Sequence, residues 1–143
     1  MTSNQAALAL FGGAVGGVVT LLVARAVKRY SSAVLAAVLI GAQLFYVGFA
    51  YQADAGPAWI MAEVLALLAF SGMGVAGVRG SLWWLVAGWT LHPVWDVVLH
   101  YFGAGRAFTP EVYPVACVPW DLIVAGAIAW KIARSSTARA FAS

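Results

Sequence analysis

The chain has 143 residues, 64% hydrophobic and 9% charged, with a net charge of +3 and a mean hydropathy of +0.91. Soluble domains carry about 25% charged residues, so this composition excludes a water-soluble globule and a disordered chain alike. The single cysteine, Cys117, excludes an internal disulfide framework, a C-x-x-C redox centre and a cysteine-built zinc knuckle, and the basic excess is spread as in a membrane protein, so no nucleic-acid partner is expected.

Five continuous apolar runs, at about 6–24, 33–51, 57–78, 82–102 and 113–132, each approach the roughly 20 residues that a membrane-crossing helix needs. They predict one all-α transmembrane bundle, since barrel strands would be shorter and would alternate. The first run is preceded by an uncharged segment and followed by Arg25, Lys28 and Arg29, the wrong order for a cleaved signal peptide. It carries two overlapping G-x-x-x-G pairs, Gly12/Gly16 and Gly13/Gly17, which suit close packing within the bundle or a homo-oligomer contact. The second run contains Gln43 and Tyr46. The third holds Glu63 and ends in Ser71, Gly72, Gly74 and Gly77. In the fourth lie Trp89, His92, Pro93, Trp95, Asp96 and His100, and in the fifth Cys117, Pro119, Trp120 and Asp121. The one internal echo is PVWD in the fourth run against PWD in the fifth. The polar tail 135–143 is expected to fray.

Charge sets the orientation. Arg25, Lys28, Arg29, Arg79, Lys131, Arg134 and Arg139 fall on one side and only Arg106 on the other. By the positive-inside rule the N-terminus lies outside and the C-terminus in the cytoplasm, in an inner or plasma membrane, with lipid as the surrounding partner. Of seven tryptophans, Trp59, Trp83, Trp84 and Trp130 sit near span ends and suit an interfacial belt, whereas Trp89, Trp95 and Trp120 lie deeper.

Three of the five acidic residues, Glu63, Asp96 and Asp121, lie inside spans, as do both histidines. Each intramembrane acid costs about 2.5–3.5 kcal/mol on insertion scales and is usually functional. At about 1.5 Å per residue, Glu63 and Asp96 lie roughly 9 Å, and Asp121 roughly 12 Å, below the outer ends of their spans, so the three carboxylates share a layer. His92, Asp96 and His100 follow at i, i+4, i+8 along one stripe. With no Lys or Arg in the layer, shared protons, histidinium or a divalent metal (Zn, Fe or Mn) must balance the acids. The expected metal ligands are His92, Asp96 and His100. The two imidazoles stand roughly 12 Å apart, so one ion would take Asp96 and one histidine, with Glu63 and Asp121 from neighbouring helices. Glu63, Asp96 and Asp121 are the expected catalytic acids, and Gln43, Tyr46, Trp89, Trp95, Cys117 and Trp120 the expected pocket. Pro93 and Pro119 each free a carbonyl close to an aspartate, where a kink would open a cavity.

The segment GWTLHPVWDVVLHYF, followed by VACVPWDLIVAGAIAW, resembles a family of small bacterial integral membrane proteins of unknown function. That resemblance rests on Gly88, Trp89, His92, Trp95, Asp96 and His100, then Cys117 and Asp121, with Glu63 matching an acid in a preceding helix. The family's C-x-x-C-D-like segment reads Cys117-Val-Pro-Trp-Asp121 here, with Trp120 in place of the second cysteine. The resemblance singles out these residues as a set and implies no activity.

The expected function is an intramembrane enzyme acting on a lipid-like or isoprenoid substrate. It would work either by a metal-activated water or by a protonated buried acid, a scheme that resembles small membrane terpene cyclases. Membrane hydrolases of the alkaline ceramidase type are similar in using His and Asp on helices, though with other spacings. The alternatives are a non-catalytic membrane assembly subunit and a proton or metal-ion transporter. The sequence holds no nucleotide loop, haem attachment motif or lipidation signal.

Overall fold

A computed structural model describes residues 1–140. Its elements are α1 (Ser3–Ala26), a 3-10 turn (Lys28–Tyr30), α2 (Ser31–Gln52), α3 (Pro57–Arg79), α4 (Trp83–Trp95), a π-helical turn (Asp96–Tyr101), a 3-10 turn (Ala104–Ala107) and α5 (Val112–Ala140). Among the described residues there is no strand. Four of the helices, α1, α2, α3 and α5, are long and apolar enough to cross a membrane. The fourth expected span departs from a single α-helix: α4 covers 13 residues and passes directly into the six-residue π-helical turn. Pro93 lies three residues before that turn, and its missing N–H leaves the Trp89 carbonyl without the usual helical donor. The expected frayed tail is also corrected in part, since α5 continues as helix to Ala140. Residues 141–143 of that tail lie outside the described residues.

Local chemistry explains the ends. Thr2 caps α1 through a reciprocal capping box with Gln5. The α2–α3 turn needs positive φ at Asp54 (49°) and Gly56 (88°), and Pro57 then starts α3 with its φ already set.

The helices close a ring in chain order. α1 packs along α5, α2 along α3, α3 on α4, and α4 on α5, while α1 meets α2 less extensively. Gly13, Gly16 and Gly17 permit the α1–α5 approach. A Cβ at Gly13 would run into the Ala116 carbonyl, one at Gly16 into the Trp120 ring, and one at Gly17 would meet the Trp120 carbonyl oxygen at 3.0 Å. These three glycines are therefore taken up inside the chain. Only Gly12, with open space around it, is left for the expected homo-oligomer contact. Gly74 and Gly77 serve the same end against Ala36 of α2 and Leu85 of α4.

The apolar core, with Ala24, Leu35, Leu39, Phe70, Leu85, Trp89, Val124 and Ile128, fills the half of the bundle towards the basic residues. Large apolar side chains such as Leu8, Phe11, Phe45, Leu65 and Leu68 point outwards, the reverse of a soluble protein. Trp83, Trp84 and Trp130 are also exposed. Trp59 instead stacks edge-on against Phe108, with ring centroids 5.2 Å apart. At the Arg106 end the Met1 ammonium lies 2.6 Å from Glu111, with Arg106 at 3.7 Å. The hydrogen-bonded ammonium holds the Glu111 carboxyl below its usual range.

Candidate active site

The polar side chains singled out within the spans converge. Gln43, Glu63, His92, Asp96, His100 and Asp121 are all buried, none more than 1% exposed. They divide into two tiers. In the tier nearer the Arg106 end, Glu63 on α3 is saturated: Gln43 Nε2 donates to Oε2 at 2.9 Å, and His100 Nε2 stands 2.9 Å from Oε1. Tyr46 stacks on the His100 ring with centroids 4.1 Å apart. Phe108 meets the same ring edge-on, and Gly105 is glycine because a Cβ there would lie 2.7 Å from His100 Cδ2.

The deeper tier joins α4 to α5. His92 Nδ1 lies 2.9 Å from Asp121 Oδ2 and 3.4 Å from Asp96 Oδ2. The shorter contact fits Nδ1–H donating to Asp121, which fixes the tautomer and leaves Nε2 without a partner. Asp96 is completely buried, and no donor meets either of its oxygens at full hydrogen-bonding geometry. The Tyr46 hydroxyl and the Cys117 thiol stand beside it as its nearest donors, with His92 Nδ1. One ligand-type atom from each of His92, Asp96, Cys117 and Asp121 lies within 4.8 Å of the others.

This arrangement changes the expected ligand grouping. His92, Asp96 and Asp121 come together, but His100 and Glu63 are bound to each other and Cys117 takes the remaining place. The i, i+4, i+8 stripe assumed α-helical winding throughout. The π-helical turn from Asp96 to Tyr101 abandons that winding between Asp96 and His100, and His100 pairs with α3.

The expected pocket is also redistributed. A crevice of about 350 Å³ runs between α2 and α5, floored by Trp89 and reaching Cys117 and Asp121. Trp89, Cys117 and Trp120 line it, as expected. Gln43 and Tyr46 are instead consumed by the polar tiers, and Trp95 faces a separate groove between α3 and α4 with Phe70 and Met73. Trp120 is held by a bond from its Nε1 to Thr20 Oγ1 of α1 at 3.1 Å. The rest of the crevice wall, Val38, Gly41, Ala42, Phe45, Tyr113 and Ala116, was not foreseen. Val38, Ala42 and Phe45 recur at helical spacing, but lipid-facing and crevice-facing apolar residues look alike in sequence. Tyr113 ties the walls by donating from its hydroxyl to the Ala42 carbonyl at 3.0 Å.

Chemically, the deeper tier offers an imidazole oriented by one carboxylate, a second carboxylate beside them, and an apolar crevice that reaches Cys117 and Asp121. The chain belongs to the family of unknown function DUF6010, whose profile matches residues 8–135. No curated protein and no solved structure matches it.

Proposed function

We propose that this member of DUF6010 is a five-span intramembrane enzyme acting on a lipid-like or isoprenoid substrate. The fifth crossing is α4 with its π-helical turn, which supplies a continuous helical stretch from Trp83 to Tyr101. The N-terminus lies outside and the basic end in the cytoplasm of an inner or plasma membrane. The observation that carries the enzymatic reading is Asp96: a wholly buried carboxylate with no fully formed hydrogen bond, beside the His92–Asp121 pair, whose Asp121 lines an apolar crevice. Burial with incomplete hydrogen bonding is unfavourable for a charged group, and a reacting group would complete the set around Asp96.

The substrate's hydrocarbon chain occupies the crevice between α2 and α5, and its reactive end faces Asp121 and Cys117. His92 exchanges a proton with that end while Asp121 holds its ring, and Asp96 acts as the second acid or base. Glu63, His100 and Gln43 fix the neighbouring helices around this tier. A transporter would need the polar path to continue through the basic half, where Leu39, Leu85, Trp89 and Val124 form fully buried apolar packing. An assembly subunit would use the tiers as interhelical glue, which leaves the open crevice without a role.

The test compares the lipids of membranes from cells expressing the wild-type chain, Asp96→Asn, or Ala116→Phe, which fills the crevice. Expected is at least one lipid or isoprenoid species consumed and another formed by the wild type alone. Identical lipid profiles with all three, each shown to be folded by its unfolding midpoint, would overturn the enzymatic reading.

A further inference from the structure

The deeper tier is built from two matching pentapeptides. His92-Pro93-Val94-Trp95-Asp96 ends α4, and Cys117-Val118-Pro119-Trp120-Asp121 lies within α5. Each begins with a potential ligand, contains a proline, and ends Trp-Asp. Residues four apart on a helix share a face, one turn from each other. Two packed helices carrying such pairs therefore aim four ligand atoms at one point, which accounts for the echo between the fourth and fifth runs.

From this geometry we infer that His92, Asp96, Cys117 and Asp121 form a four-ligand site for a single divalent transition ion, Zn²⁺ fitting best. This goes beyond the proposed function: with the ion bound His92, Asp96 and Asp121 are ligands, and the proton exchange assigned to them above belongs to the metal-free chain. Tetrahedral zinc, with bonds of about 2.0–2.3 Å, sets its ligand atoms roughly 3.3–3.8 Å apart. The four atoms already lie within 4.8 Å of one another, so closure needs shifts of up to about 1.5 Å, with the His92–Asp121 pair widening slightly. His92 Nδ1 faces both carboxylates. Asp96, fully buried and with neither oxygen in a fully formed hydrogen bond, borders the same space. Glu63 provides the internal contrast: both its oxygens are engaged by Gln43 and His100, and it needs no ion.

Charge points the same way. With Asp96, Asp121 and Cys117 deprotonated the cluster carries three negative charges, and a divalent ion reduces them to one. One thiolate, one imidazole and two carboxylates suit a borderline-soft ion rather than Mg²⁺ or Ca²⁺, which prefer oxygen alone. Binding releases the Cys117 thiol proton and any carboxyl proton held in the cluster. The His92 proton moves from Nδ1 to Nε2 and stays on the ring.

The test titrates Co²⁺ into the purified, chelator-treated full chain in detergent, read by absorption rather than by turnover. Expected is saturation at one equivalent, with tetrahedral ligand-field bands and a thiolate-to-metal charge-transfer band, all erased by Zn²⁺. Cys117→Ser should remove the charge-transfer band alone, Asp96→Asn should weaken binding by more than about tenfold, and Glu63→Gln should leave the spectrum unchanged. Absence of stoichiometric binding by the folded wild type would overturn the site, as would a saturating spectrum without the thiolate band. Neither result bears on the lipid comparison, where acid catalysis by Asp96 would still change the profile. Conversely, a bound ion with unchanged lipids would leave the metal site standing and remove the enzymatic reading.

Discussion

Replacing Gly13 by alanine probes the α1–α5 contact with a control one residue away. A Cβ at Gly13 overlaps the Ala116 carbonyl oxygen, and stands 2.8 Å from the carbonyl carbon and 2.9 Å from Pro119 Cγ. Carbon atoms in comfortable contact sit about 3.5–4.0 Å apart, so α1 and α5 must separate by roughly 1 Å. The obstructing atoms are backbone and a proline ring, neither of which can rotate away. Overpacking of this kind costs about 1–3 kcal/mol. Gly12 has nothing within 4 Å of its own Cβ. Both substitutions gain the same helix preference of about 0.5–1 kcal/mol, so their difference isolates the steric term. Unfolding by SDS titration, followed by tryptophan fluorescence, should place Gly13→Ala about 1–3 kcal/mol below Gly12→Ala. A lengthening of α1 from α5 also loosens Trp120, so its emission should shift in Gly13→Ala alone. Equal stabilities would refute the packing of α1 on α5, and with it the assignment of these glycines to the inside of the chain.

Glu63→Ala should cost about 3–5 kcal/mol in the same titration, because it strands His100 and Gln43 in the interior; Glu63→Gln retains an acceptor and should cost less, and equal losses would contradict the pairing. Thr20→Val removes the acceptor of Trp120 Nε1 and should cost about 0.6 kcal/mol, the average for such bonds in membranes, whereas a loss above about 2 kcal/mol would mean that Thr20 does more than hold the indole. Tyr113→Phe unties α2 from α5 across the crevice, so Cys117 should react severalfold faster with a membrane-permeant maleimide; an unchanged rate would show that Tyr113 does not gate that opening. For orientation, Ala107→Cys in a Cys117→Ala background should be labelled by an impermeant reagent on intact cells, and Ser81→Cys only after permeabilisation. The opposite pattern would invert the assigned topology.

The helical character of this protein, with four helices long and apolar enough to cross a membrane, was legible in the sequence, because hydropathy and span length are additive properties that neighbours hardly alter. So was the membership of the polar cluster, since ionisable residues within apolar runs are rare enough to single out Glu63, His92, Asp96, His100 and Asp121. Their pairing was not. Which imidazole meets which carboxylate depends on the π-helical turn after Pro93, which turns His100 towards Glu63, and α-helical periodicity has no term for that change of winding. Cys117 became a neighbour of Asp96 only through the packing of α4 on α5. The crevice was decided by tertiary structure alone. Val38, Ala42 and Phe45 would serve equally well against lipid, and it is the gap between α2 and α5, bridged at Tyr113, that makes them the walls of a crevice.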